Sequence, residues 1–418
     1  MDRLEQAIQS AGARMIERLE SLRGVSQNKE WLERILFSSA AETAAQRLRG
    51  WMESAGMQVK YDELTNVCGL LTVSEAGADA PRIHIGSHYD TVINAGAYDG
   101  ALGVVMAIAV AEVVAGAGLP FRHNLSALAF CDEEGVRFNT TFLGSAYLSG
   151  QFEQEWLVKE DESGKTLGEW LVDRSESIDA VLHAKPFIRA EDFFLEAHIE
   201  QGPVLESTDR ALGVFTRIAA QMRAEVTLTG CAGHAGTTPA GLRRDPLPVA
   251  SAMIIEVAQL CKSDERIRAT VGHVEVSPNA SNVIPGCVKF SIDLRHPDAA
   301  GLDRAHDTLR TTIEAIAKRS DVAFHYQIVH QAADTQMDAA LTNLLVAACE
   351  GLQESASSMF SGAGHDSMKI ANVCPVGLLA VRCREGLSHH PDEFASVADC
   401  LLAFRAMVSA VYQLDRTM

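Results

Sequence analysis

Basic side chains are in short supply in this 418-residue chain, where 36 Lys and Arg face 55 Asp and Glu for a formal charge of −19. That deficit excludes nucleic acid and anionic membrane surfaces as partners, because phosphate binding needs a basic face. Paired cysteines are also missing. The nine cysteines are scattered singly, with no Cys-x-x-Cys pair, and an odd, unframed set reads as reduced thiols in a cytoplasmic enzyme. The opening Met-Asp-Arg-Leu-Glu-Gln has no basic region leading into an apolar one, so no signal peptide is expected. Long apolar runs are lacking as well. The most membrane-like stretch, 101–111, is too short to span and runs into Glu112, Gly116, Gly118 and Pro120, as suits a buried core helix. No low-complexity segment suggests disorder, and an apolar share of 47% is ordinary for a globular protein.

What is present is more than one core's worth of chain, so two domains are expected. Apolar residues at helical spacing mark helices over 4–22 and 40–55, and a further helix is expected over 101–114. The runs 82–86, 125–131 and 193–197 read as strands apolar on both faces, which suits parallel strands covered by helices. Each leads into polar, ligand-type residues at its carboxyl end, where open α/β sheets place their chemistry. From about residue 212 the pattern changes. Residues 223–229 alternate like a half-buried strand, a helix follows over 246–261 with Pro246 in its first turn, and 268–276 and 288–296 read as strands. Asp298 can cap a helix striped by Leu302, Leu309, Ile313 and Ile316, and 324–329 closes the set. The order β-α-β-β-α-β is a split βαβ, ferredoxin-like layout. The expected organisation is therefore an α/β catalytic domain with a mixed sheet and flanking helices, formed by 1–211 and 331–418. An α+β domain is inserted over 212–330.

The chemistry gathers on a few positions. His88 and Asp90 lie two apart and face the same way on an extended backbone, so one can bind a metal while the other orients it. Asp99 sits in the Gly-rich stretch 95–100, where a carboxylate can bridge two cations. In the acid run Asp132-Glu133-Glu134, adjacent glutamates cannot share one role: one can ligate while its neighbour acts as general base. Read alone, that run also suits a solvated loop. His198 and Glu200 end an apolar run, and His389 stands near the C-terminus. Two such imidazoles and three carboxylates at the ends of apolar runs point to a two-metal hydrolytic site. Better-placed carboxylates leave Glu200 to the surroundings of the metals or the substrate pocket. His84, His123, His183, His273, His296, His306, His325 and His330 have no such company and are expected to be structural. Imidazole and carboxylate ligands without thiolates accept Zn²⁺ or Mn²⁺, and also Co²⁺ or Ni²⁺.

Gly-Ser-His-Tyr-Asp-Thr (86–91), Tyr-Asp-Gly-Ala-Leu-Gly (98–103) and Asp-Glu-Glu-Gly (132–135) resemble the metallopeptidase superfamily of aminoacylases and carboxypeptidases. His-Ile-Glu-Gln-Gly (198–202), Gly-His-Ala-Gly-Thr-Thr-Pro (233–239), Ser-Asn-Val-Ile-Pro-Gly (281–286), Ser-Gly-Ala-Gly-His-Asp (361–366) and Ser-His-His-Pro-Asp-Glu (388–393) resemble a narrower branch, the amidase/hydantoinase/carbamoylase family. The resemblance implies an aminopeptidase-like catalytic domain with two divalent ions, one on His88, Asp99 and His198, the other on Asp99, Glu134 and His389. His389 is taken over His390 because the family's ligand directly follows the position of Ser388. It further implies that Asp90 orients His88 and that Glu133 is the base. Asn282 and Arg295 would hold a substrate carboxylate, with Gln201 and His365 lining the pocket. The inserted domain would be a dimerisation lid through which His234 of the partner subunit stabilises the oxyanion. The implied reaction is cleavage of a ureido C–N bond in a small carboxylate with release of ammonia and carbon dioxide. Allantoate is the first substrate, N-carbamoyl-L-amino acids the alternative, and N-acyl-amino acids or peptides a more distant one. In peptidase relatives an acidic ligand usually stands where this chain has His198. Tyr89 and Ala220 depart from the family pattern, at positions that could reshape the pocket.

Overall fold

Four apolar strands, Asn124–Phe130, Arg82–His88, Phe193–Ile199 and Val376–Val381, lie side by side and parallel at the centre of a mixed sheet. Their residues are buried almost throughout, as required of strands covered on both faces. An antiparallel hairpin, Gln58–Tyr61 with Val67–Leu71, extends the sheet on one side, and Leu212–Ile218 pairs antiparallel on the other. The hairpin was not expected from the sequence. In this computed structural model residues 2–73, 77–118, 120–174 and 176–417 are described.

The first helix spans Asp2–Arg23, and the second, Ser39–Ser54, starts where the Ser38 hydroxyl accepts from Ala41 N. Helix Ala101–Ala117 is buried on nearly every side, against Asp2–Arg23 and the strands Arg82–His88 and Asn124–Phe130. Its uniformly apolar sequence follows from that position. Among the described residues one helix, Val397–Thr417, is long and apolar enough to cross a membrane. Its Ala403, Phe404, Met407, Ala410, Val411 and Leu414 are fully buried, as in a core helix.

The chain divides into two units: Met1–Thr216 with Gln336–Met359 and His365–Met418, and Arg217–Thr335 with Phe360–Gly364. The second unit holds an antiparallel sheet ordered Val274–Ser277, Cys287–His296, Ala220–Thr229, Ala323–Ala332. Ala220, Met222, Ala224, Val226 and Leu228 alternate inward to form one core with helices Pro246–Ser263 and Ala299–Lys318. Asp298 caps the latter by accepting from Gly301 N at 2.7 Å. The single strand expected over 268–276 is instead two, Arg268–Thr270 and Val274–Ser277, both paired with Cys287–His296.

Candidate metal centre

The strands Arg82–His88 and Phe193–Ile199 pair only as far as Ile85 and Leu195. Beyond that rung no pairing joins Ser87-His88 to Ala197-His198, and the start of helix Ala101–Ala117 lies over both. A Cβ on Gly103 would come within 2.4 Å of the Ala197 carbonyl and 2.7 Å of Ser87 Cβ, so only glycine allows this approach. Gly100, with φ +64°, likewise leaves room for the His88 ring, 2.5 Å from where its Cβ would stand.

The two histidines converge on Asp99 Oδ1, with His88 Nε2 at 3.2 Å and His198 Nε2 at 3.1 Å. Their other ring nitrogens face backbone carbonyls: His88 Nδ1 lies 3.2 Å from Asp90 O, and His198 Nδ1 lies 2.9 Å from Ile199 O. A carbonyl only accepts, so Nδ1 carries the proton in both rings and Nε2 presents a lone pair. Gly100 N donates to His198 Nε2 at 3.2 Å, in keeping with that tautomer. Three lone-pair atoms thus meet at a point where Asp99 Oδ1 is buried without a hydrogen-bond partner. Such a triad calls for a cation or an extra proton. In the metal-free arrangement burial opposes the charge on His88, but Asp99, Glu133 and Asp90 outweigh it and draw His88 well above the usual imidazole range. His198 and His88 hold Asp99 well below the usual carboxylate range despite its burial.

A second group shares Asp99. His389 Nε2 lies 3.5 Å from Asp99 Oδ2 and 3.2 Å from Glu134 Oε1, and its hydrogen bond to Glu134 lifts it to about 9. The candidate ligand atoms of His88, Asp99 and His198 lie within 4.8 Å of one another, as do those of Asp99, Glu134 and His389, and of His88, Glu133 and Glu134. This nitrogen and oxygen donor set, around an orphaned buried carboxylate oxygen, fits divalent cations. His390 instead receives Asp392 N on Nδ1, in the exposed part of its loop.

Asp90 holds the acid run from below, accepting Glu133 N at 3.1 Å and Glu134 N at 3.2 Å. Burial raises Asp90 to about 6, with His88 opposing. Glu133 is pushed well up by burial, opposed by His88 and reinforced by Glu134, Asp366 and Asp90. A carboxyl displaced toward neutrality suits a general base. Asp132 is buried with φ +52°, a turn residue and not part of a solvated loop.

Gln201 donates to Asp99 Oδ2 at 2.7 Å, so its amide touches the shared carboxylate directly. His365 packs edge-on against His198, ring centroids 4.6 Å apart, and burial with His198 beside it keeps it well below the usual imidazole range. Glu200 is structural: both its oxygens accept backbone N–H groups, from Val204 and Leu205 at 2.8 Å, which starts the short helix Val204–Ser207. The Tyr89 side chain is buried, and its hydroxyl meets Thr65 Oγ1 and Thr65 O at 3.0 Å.

His234, Asn282 and Arg295 belong to the inserted unit. His234 pairs with Val283 in a two-residue ladder, and Ala235 N donates to Asn282 O at 2.9 Å. Gly236 N donates to His234 Nδ1 at 3.1 Å, which leaves the exposed Nε2–H as a donor. Arg295 Nε and Nη2 engage Asp293 at 2.8 and 2.9 Å, while Nη1 reaches Gly362 O.

Several supporting residues escaped the sequence reading. Glu196, fully buried on the same strand as His198, accepts from Ser87 Oγ at 2.8 Å and Ser367 Oγ at 2.6 Å. Arg34, also fully buried, donates to the carbonyls of Tyr89 and Leu22. Glu393 accepts from the amides of Tyr98 and Asp99. Glu393 ends the Ser-His-His-Pro-Asp-Glu motif and Glu196 is the one charged residue in the apolar run 193–197, but their partners are segments distant in sequence.

Residues 84–413 match peptidase family M20/M25/M40. The chain is 36% identical to an allantoate deiminase of Glycine max, over 96% of its own length and 89% of the relative's. It is 32% identical to an N-carbamoyl-L-amino-acid amidohydrolase of a Pseudomonas species, over 94% and 96%. Among solved structures, an amidase of the hydantoinase/carbamoylase family from Burkholderia multivorans superposes with a TM-score of 0.88 at 29% identity, covering 97% of this chain and 98% of that one.

Proposed function

This chain belongs to peptidase family M20/M25/M40 and, within it, to the hydantoinase/carbamoylase amidases, and from that premise we propose how its residues cleave a ureido C–N bond. It is an amidohydrolase acting on non-peptide C–N bonds. The observation that carries the reading is the meeting of two Nε2 lone pairs with Asp99 Oδ1, beside Glu133. His88, Asp99 and His198 would hold one divalent ion, and Asp99, Glu134 and His389 a second. Ions held there would supply polarisation of a ureido carbonyl and would lower the pKa of an attacking water. Glu133 takes the proton of that water and returns it to the leaving nitrogen. Asp90 fixes the backbone of both glutamates, and the lone hydrogen-bond donor of His234, from the inserted unit of a second copy, meets the developing oxyanion. Arg295 and Asn282 hold the substrate carboxylate, and Gln201 and His365 shape the pocket. Nine free cysteines suit a cytoplasmic setting.

Allantoate is the first substrate and an N-carbamoyl-L-amino acid the second, since relatives of both names match over most of the chain. The discriminating experiment compares ammonia release from allantoate with release from a panel of N-carbamoyl-L-amino acids. The expected result is a kcat/KM highest for allantoate; a clear preference for one carbamoyl amino acid would reverse the order.

A further inference from the structure

We propose that Glu393 is a positioning residue whose carboxylate staples the Tyr98-Asp99 turn to the Ser388-His389 loop, fixing two metal ligands drawn from opposite ends of the chain. The proposal rests on the two-ion reading above. Glu393 is 5% exposed. Its Oε1 accepts from Tyr98 N at 2.8 Å and Asp99 N at 3.0 Å, and its Oε2 accepts from Ser388 Oγ at 3.1 Å. The same hydroxyl reaches Asp99 Oδ2. One carboxylate thereby binds the main chain of the shared ligand Asp99 and the side chain next to the ligand His389.

The surroundings are built around this contact. A Cβ on Gly96 would fall 2.1 Å from Glu393 Cδ, so a glycine is needed where the carboxylate enters the 95–100 stretch. Glu393 N donates to His390 O at 3.0 Å, closing the loop on itself. The neighbouring Phe394 packs edge-on against Tyr98 with centroids 5.8 Å apart.

His389 is the ligand most in need of such support. It is half exposed, and its backbone has φ +55°. A non-glycine residue in the left-handed region is strained and persists only where its surroundings over-determine it. The other imidazole ligands, His88 and His198, stand at the ends of core strands and are buried. The staple should therefore matter most for the ion on Asp99, Glu134 and His389.

The test is stepwise titration of Mn²⁺ into metal-stripped, full-length protein, followed calorimetrically, for the wild type, Glu393→Ala, Glu393→Gln and Ser388→Ala. Glu393→Ala is expected to weaken the second ion by about 10- to 100-fold, the usual cost of losing a residue that orients a ligand, with a smaller effect on the first. Glu393→Gln is expected to restore it, because its amide oxygen still accepts from both backbone amides and its NH₂ reaches Ser388 Oγ. Ser388→Ala removes the link to the loop together with the hydroxyl's contact to Asp99 Oδ2, leaves the Glu393 bonds to both backbone amides, and is expected to give an intermediate loss. It decides the matter if Glu393→Ala does not fold. Wild-type affinity for both ions in Glu393→Ala, or in Ser388→Ala should it stand alone, overturns the proposal, as does a glutamine variant as weak as the alanine. If the wild type binds only one ion, the two-ion reading fails by itself, and the same comparison is then made on that ion.

Discussion

Glu133→Gln separates the chemistry at this centre from its architecture. The substitution keeps size and reach, and the backbone hydrogen bond to Asp90 Oδ1 at 3.1 Å does not involve the altered group. The candidate metal ligands His88, Asp99, Glu134, His198 and His389 stay in place. Removing a positioned general base costs 10²- to 10⁴-fold in turnover, about 3–5 kcal/mol in the barrier. Stability should move the other way. Burial pushes the Glu133 carboxyl well up, with Glu134, Asp366 and Asp90 adding to it and His88 opposing, and no hydrogen bond to that carboxylate is present among the described residues. An acid raised by folding weakens the fold progressively as pH rises from its unfolded value toward its folded one, fully so above the latter, and has no such effect where it is protonated in both states. The metal-free glutamine variant should thus match the wild type at acidic pH and exceed it at alkaline pH. A gain of about 1–3 kcal/mol is the scale for relieving an uncompensated buried group. Ammonia release by metal-loaded protein and urea unfolding of stripped protein across pH measure the two halves. Turnover within tenfold of wild type would refute the role of Glu133, and an equal or lower alkaline stability would refute the electrostatic argument.

Other outcomes follow from single contacts. His198→Asp, which installs the acidic ligand usual in peptidase relatives, should retain metal yet lose about 10- to 100-fold in ureido turnover; unchanged kcat/KM would remove His198 as a determinant of the reaction. Arg295→Ala should raise KM about 10- to 100-fold with less effect on kcat, the scale of a lost charge-assisted hydrogen bond. A drop confined to kcat would contradict a binding role. Asp192 is fully buried and accepts from His84 Nε2, Arg82 N and the Arg189 side chain. Its own burial opposes ionisation, but His84 and Arg189 hold its carboxyl well below the usual range. Such a group contributes stability above about pH 4, lost as pH falls toward its folded value. Asp192→Asn should therefore lower stability at neutral pH and flatten the acid limb of an unfolding profile, and an unaltered limb would count against the pairing.

Two candidate ligands were legible at the ends of apolar runs, since His88 and His198 mark two neighbouring parallel strands, whereas Asp99 lies in a Gly-rich stretch and His389 in a loop, so the full candidate set came from the family resemblance. The inserted unit was legible through alternation, as in Ala220–Thr229. Periodicity says less about what braces these elements. Glu393 meets amides nearly three hundred residues away, and Arg34 spends its donors on main-chain carbonyls, so neither leaves a mark in spacing. Glu200 was set beside the metals or the substrate pocket by its place near His198, whereas the chain's turn into Val204–Ser207 claims both its oxygens. The hairpin Gln58–Tyr61 and Val67–Leu71 was missed because strands of four and five residues give too few periods to read.

The most direct measurement is ammonia release from allantoate as Mn²⁺ is titrated into metal-stripped protein, with bound metal counted alongside. Activity should be absent without metal and should rise to a break at two ions per subunit. Full ureido turnover by the stripped protein, or saturation with less than one ion bound, would contradict a metal-driven ureido hydrolase.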